Sequence, residues 1–158
     1  MARYGIATIF ENHPVGQEFT VDALPLHLTH VDSFEVDLSA EELATKLTAA
    51  LAAQKAFAIK ALTDEMYGAD KDIPVTTLEL TPQLMQLHRL IMGVLDATGA
   101  VLKNPHFHND NFSPHVSVYG DKRVAAGDSV AIQDISIAAK VSDADDASRR
   151  VLANITLA

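Results

Sequence analysis

Two short stretches of this chain share one pattern, His-apolar-hydroxyl. One is Leu26-His27-Leu28-Thr29-His30-Val31. The other is Ser113-Pro114-His115-Val116-Ser117-Val118-Tyr119-Gly120. Each sits among β-forming residues and follows a proline, Pro25 or Pro114. Strand side chains alternate faces, so residues two apart point the same way. His27 and Thr29 would therefore share a face of one strand, and His115 and Ser117 a face of another. Histidine exchanges its proton near neutral pH. One imidazole can deprotonate an attacking water or hydroxyl while a second protonates a departing oxygen, each role contributing roughly 10²–10⁴-fold in rate. Hydroxyl donors suit oxygens that gain charge in the transition state. Together these groups make an acid–base site with hydroxyl donors, a scheme that requires no metal or other cofactor.

The flanking sequence must bring the two stretches together. Gly5 to Phe10 reads as a strand and Glu11 to Gln17 as a loop. Leu24 to Val31 is the first motif strand. Ser39-Ala40-Glu41-Glu42 is a capping box, and the stripe Leu43, Leu47, Ala50 and Leu51 predicts a helix over 40–54. Strands follow at Ala56–Leu62 and Val75–Leu80, with a polar turn from Tyr67 to Asp72 between them. Thr81 caps a second helix with Pro82 at its first position, and Leu84, Leu87, Ile91, Val94 and Leu95 form its buried face up to Gly99. Lys103 to Ser113 is a polar loop. The second motif strand is 114–119. Ser129–Lys140 and Val151–Leu157 are two further strands, joined by a turn over Ser142–Ser148. The expected architecture is α+β. It has two pseudo-symmetric sheet-bearing lobes around a central cleft, helices outside and one motif strand per lobe, all in a single domain spanning residues 1–158.

Composition bounds the function classes. The chain has 158 residues, no cysteine and a net charge of −9. It holds no disulfide or thiolate metal site. The acidic balance argues against long nucleic acids, whose binding needs many cations on phosphates. It leaves room for a small anionic ligand held by a few residues in a cleft. No apolar run is long enough to span a bilayer and no signal-peptide pattern opens the chain. The expectation is a cytoplasmic, monomeric protein that does not engage membranes.

Paired His-x-Thr/Ser motifs on strands, one per half and in this element order, resemble the two-histidine phosphoesterase superfamily, which includes 2′–5′ RNA ligase-like proteins and cyclic phosphodiesterases. The resemblance covers most of the chain. It implies an acid–base pair at His27 and His115 and a phosphate clamp at Thr29 and Ser117. It also implies a substrate among 2′,3′-cyclic phosphates, 2′–5′ linkages and cyclic oligonucleotides, with RNA ligase-like activity as a related reaction. Two departures stand out. The 11–23 stretch is too short and too rich in Pro and Gly for the helix the family usually places there. Tyr119-Gly120-Asp121 also separates the second motif from Lys122 and Arg123, where many members carry a basic residue directly.

Other residues enter as substrate contacts. Tyr119 lies on the face of His115 and Ser117 if the strand continues without a bulge. Lys122 or Arg123 could meet a terminal phosphate. Phe107 and Phe112 could stack on a base. His106-x-His108, with Asp110 nearby, has donor types that suit zinc, but no third ligand falls at a standard spacing. A substrate-contacting role therefore fits His106 and His108 better. His30 is expected to face away from the cleft, His88 to sit at the core edge of its helix, and His13 to be in an exposed loop. The alternative to an enzyme is a non-catalytic nucleotide-binding module that uses the same cleft.

Overall fold

The structure is a computed structural model and describes residues 1–142 and 145–158. Its strands are β1 (Ala2–Ile9), β2 (Glu18–Phe19), β3 (His27–Val36), β4 (Phe57–Tyr67), β5 (Ile73–Leu78), β6 (Val101–Leu102), β7 (His115–Ser117), β8 (Ser129–Ile132), β9 (Asp134–Ser142) and β10 (Asp145–Thr156). Two helices, α1 (Ala40–Ala50) and α2 (Pro82–Ala97), complete the set. The fold is α+β around a mostly antiparallel sheet ordered β2-β10-β9-β1-β3-β7-β5-β4-β8, with β6 also against β3. Among the described residues, no helix is long and apolar enough to cross a membrane.

Both helices start as their sequences dictate. Ser39 accepts a hydrogen bond from the Glu42 backbone N–H while the Glu42 carboxylate accepts from that of Ser39, each at 3.1 Å. Thr81 caps α2 by accepting from the Leu84 N–H. The α1 helix is shorter than its apolar stripe, because Leu51 already has non-helical geometry and caps the end. Gly99 follows α2 at φ 74°, a conformation that favours glycine. Leu43, Leu47, Leu84, Leu87, Ile91 and Leu95 of the helices bury with Leu28, Phe34, Val116, Ile135 and Ile137 of the sheet in one core.

The strand boundaries move for identifiable reasons. The first motif strand begins at His27, not Leu24, and continues to Val36. Pro25 has no N–H to offer a ladder, and the Leu26 N–H donates to the Glu11 carboxylate instead of a strand. The expected Ser129–Lys140 strand is two strands. β8 pairs with β4, whereas β9 pairs with β1 and β10 at the other end of the sheet, and the chain crosses over at Gln133. Part of the expected Ser142–Ser148 turn is strand, since β10 starts at Asp145, and residues 143–144 lie outside the described residues. As the sequence departure implied, only the short 3₁₀ turn Val21–Ala23 and the two-residue β2 separate β1 from β3.

The motif strands are direct neighbours. Leu28 pairs antiparallel with Val116, and both side chains are buried in the core. Alternation turns His27, Thr29, His115 and Ser117 to the opposite face. Leu28→Ala should lower the unfolding free energy by about 2–5 kcal/mol, and Ser39→Ala by about 1 kcal/mol. Urea titration of both variants checks these values.

Candidate functional site

The Leu28–Val116 pair sets the register at the site. Stepping one residue each way along antiparallel strands puts His27 across from Ser117 and Thr29 across from His115. Each imidazole thus has the other motif's hydroxyl as its cross-strand neighbour. Directly opposed side chains have Cβ atoms about 4.5–5.5 Å apart, so all four reach one small region. All four are half-buried.

The two histidines are held alike. His27 Nδ1 donates to the Pro25 carbonyl at 2.9 Å, and His115 Nδ1 donates to the Ser113 carbonyl at 2.8 Å. A carbonyl only accepts, so the proton of each neutral ring is on Nδ1 and the lone pair on Nε2. In both motifs a backbone carbonyl two positions upstream of the histidine fixes the tautomer. Each ring also has its own tyrosine. Tyr119 stacks on His27 with centroids 6.0 Å apart, and Tyr67 meets His115 edge-on at 4.8 Å. The Tyr67 hydroxyl lies 3.1 Å from Ser113 Oγ.

Electrostatics separates the site from ordinary surface. Burial pushes the His27 imidazole below its usual pKa; the Pro25 carbonyl acts the other way, and the charges of His115 and Arg149 push it further down. Burial raises the Tyr119 phenol, against a hydrogen bond with Ser117. Arg149 was not singled out in the sequence, and neither was Tyr67. Arg149 lies on β10, far from either motif in sequence, and only the pairing of β10 with β9 and of β9 with β1 brings it here. Tyr67 stands at the end of β4, where the sequence showed only a polar turn.

The remaining expected contacts sit elsewhere or are otherwise engaged. Lys122 donates to the Glu11 carboxylate at 2.9 Å and to the Leu24 carbonyl at 2.8 Å, tying the turn after β7 to the loop before β3. Arg123 donates to Asp64 at 2.6 Å and to Thr76 Oγ1 at 3.1 Å. β7 ends at Ser117, and Tyr119 instead forms a bridge with Lys122, yet its ring still turns to His27. His106 is exposed and packs on Phe107. His108 is buried, with Nε2 3.2 Å from Asp32. Phe112 is buried too and stacks on His88 at 4.1 Å, so it anchors the loop to α2. Among the described residues, no three His, Cys, Asp or Glu side chains form a group that could hold a metal ion.

The other histidines are structural. His30 faces away from the site, as expected, and its Nε2 is 2.7 Å from the Thr8 hydroxyl. His88 is wholly buried rather than at the core edge, and its Nε2 accepts from the Asn109 N–H at 2.8 Å. His13 is half-buried rather than exposed, bridging the Glu11 carbonyl and Asp134. Burial, with the charge of His88, drives His30 down to about 3; burial, with the charge of His108, drives His88 down to about 4.

These environments are open to titration. In an NMR titration of the imidazoles, His27 should titrate below the ordinary value of about 6.5, and His115→Ala or Arg149→Gln should each move it upward. Stability should be full above a pH of about 6.5 and fall as pH drops toward about 4. There the unfolded chain binds protons that folded His30 and His88 refuse, with a slope of up to about 1.4 kcal/mol per pH unit for each group. Denaturant titration at several pH values across that window reads it.

Comparison with known proteins gives the arrangement a context. The family model of the 2′-5′ RNA ligase superfamily matches residues 12–152. Among solved structures, Escherichia coli LigT complexed with 3′-AMP is similar at a TM-score of 0.58 and 18% identity, over 98% of this chain and 97% of that one. LigT complexed with NADP+ is similar at 0.57 and 16% identity, with the same coverage. TT0787 of Thermus thermophilus is similar at 0.59 and 16% identity, over 99% and 98% of the two chains. No curated protein matches the chain by sequence.

Proposed function

The chain belongs to the 2′-5′ RNA ligase superfamily, and from that premise we propose that it is a metal-independent phosphodiesterase. Its substrates would be small nucleotides or short oligonucleotides with a 2′,3′-cyclic phosphate, a 2′–5′ linkage or a cyclic backbone. The observation that carries the reading is the matched tethering of His27 and His115. Each imidazole is locked in one tautomer by an upstream carbonyl and presents Nε2 on the face shared with Thr29 and Ser117. The complexes of E. coli LigT with 3′-AMP and with NADP+ agree with a nucleotide-sized ligand.

The roles divide by environment. His27 is held toward its neutral form, partly by the charge of His115. We therefore assign the base to His27 and the acid to His115. His27 Nε2 takes the proton of the attacking water, and its Nδ1–H stays on the Pro25 carbonyl. His115 Nε2–H delivers its proton to the departing oxygen. A neutral and a protonated imidazole side by side are mutually compatible, whereas two charged rings oppose each other. Thr29 and Ser117 donate to the non-bridging oxygens. The face of the Tyr119 ring closes one side of the site over His27. The β3–β7 seam divides the sheet into two wings, which we read as the two lobes of one domain.

The test is hydrolysis of 2′,3′-cyclic nucleotides, 2′–5′ dinucleotides and cyclic dinucleotides with chelator present. Wild type should turn over at least one class. Folded His27→Ala and His115→Ala should each lose about 10²–10⁴-fold. Turnover that survives both substitutions would remove the two-histidine mechanism. Tight binding of a cyclic nucleotide left intact would instead establish a binding module.

A further inference from the structure

The strand that carries Tyr67 changes face partway along. Ile59 and Ala61 of β4 are buried in the core. Strict alternation from them would turn Tyr67 to the core side of the sheet as well. The pairing with β5 shows why it does not. Ala61 opposes Leu78, and the next pair is Asp64 with Thr76. Leu62 and Thr63 therefore stand opposite Thr77 alone, a β-bulge of one extra residue. Beyond it the odd-numbered positions of β4 have changed sides. Tyr67 opposes Ile73, and Ile73 shares a face with Val75 and Thr77, which oppose Ser117 and His115 on β7. The bulge delivers Tyr67 to the face of the motif residues.

The irregularity is secured by a side chain at the site. An extra residue breaks the ladder locally, and here the Thr63 N–H donates to Thr77 Oγ1 at 3.2 Å. The two threonine hydroxyls lie 3.0 Å apart. Thr77 is also the β5 residue directly across from His115. Bulges are frequent beside active sites, where they re-aim a side chain. The side chain re-aimed here is Tyr67.

Tyr67 meets His115 in two ways. Its ring lies edge-on to the imidazole, with centroids 4.8 Å apart and planes at 66°. Its hydroxyl lies 3.1 Å from Oγ of Ser113, the residue whose carbonyl accepts from His115 Nδ1. The two histidine tethers differ in their surroundings. That of His27 is part-buried, whereas that of His115 is exposed. Water competes for an exposed hydrogen bond, so its net contribution is small. The Ser113 carbonyl alone therefore leaves the His115 ring free to turn and to exchange tautomer. Tyr67 supplies from the side the constraint that burial gives His27.

We propose that Tyr67 is a positioning residue for His115. It fixes the imidazole and its tautomer, so that Nε2 stays aimed at the departing oxygen. The aim at that oxygen rests on the two-histidine reading; the hold of Tyr67 on the ring does not.

The first readout is the tautomer of each histidine, from long-range proton–nitrogen NMR spectra recorded where the imidazoles are neutral. In wild type both His27 and His115 should carry the proton on Nδ1 alone. In Tyr67→Leu, His115 should show a mixture of tautomers while His27 is unchanged. Tyr67→Phe keeps the ring and loses the tie to Ser113, and should stand between the two. A His115 ring that keeps its single tautomer in Tyr67→Leu would overturn the assignment. Release of both rings would do the same, since it would mark a general loosening of the sheet. The second readout is turnover. In Tyr67→Leu, kcat on a 2′–5′ dinucleotide should fall roughly tenfold with KM unchanged. Cleavage of a nucleoside p-nitrophenyl phosphate, whose departing oxygen leaves without a proton, should be unaffected. Equal losses on both substrates would remove the aim at the departing oxygen. The two readings fail separately. A fixed His115 ring in Tyr67→Leu with histidine-dependent turnover intact removes the role of Tyr67 alone. A released ring in a protein that cleaves nothing keeps the hold of Tyr67 and removes the catalytic assignment.

Discussion

The position of both imidazoles hangs on one cross-strand pair, Leu28 against Val116. Those two side chains are fixed by the core, with at most 1% of their surface exposed. Whatever holds them holds their neighbours on the other face, because adjacent strand residues have no freedom to choose sides. A slip of one residue between β3 and β7 would bury the histidines against α2 and expose the leucine. β7 itself has only three residues and draws its rigidity from β5, which pairs with all three. The core therefore does the aiming, and the polar face inherits its accuracy.

Charge is arranged with similar economy. The two basic residues nearest the second motif, Lys122 and Arg123, are engaged in holding loops to carboxylates. Arg149, whose charge reaches His27 and Tyr119, comes from a strand remote in sequence. Against this, His30 and His88, buried behind the sheet, are kept neutral by desolvation, so they add no positive charge to the core under the site. The seven histidines of the chain thus divide by environment more than by motif. Two present an open nitrogen beside paired hydroxyls, while His30, His88 and His108 serve packing and loop anchoring.

Much of this was legible in the sequence because it is local. A capping box, a proline at a first helical turn and a 3.6-residue apolar stripe need no tertiary information, and α1 and α2 began where these signals said. The paired His-x-hydroxyl motifs are likewise local, and alternation alone put their side chains on a common face. What escaped depends on distant partners. The break at Gln133 marks a chain that changes neighbours from β4 to β1 and β10, and nothing in Ser129–Lys140 announces it. Tyr67 and Arg149 reach the site through the sheet order, which no periodicity encodes. His108 read as a ligand or substrate contact because His-x-His is conspicuous; its burial against Asp32 follows from a loop packed on α2.

The placement of β1 bears on how the molecule is made. β1 pairs with β3 on one side and with β9 on the other, and Thr8 donates to the carbonyl of Asp134. A chain emerging from the ribosome completes the first hairpin early, but the outer edge of β1 stays uncovered until β9, far later in the chain, has been made. Until then an open ladder of N–H and C=O groups stands beside the nascent first motif, the kind of edge that recruits foreign strands. Contacts this distant in sequence also slow the final collapse. The half of the site that is written first is thus the half that stays unfinished longest, and its protection during synthesis falls to whatever shields nascent chains.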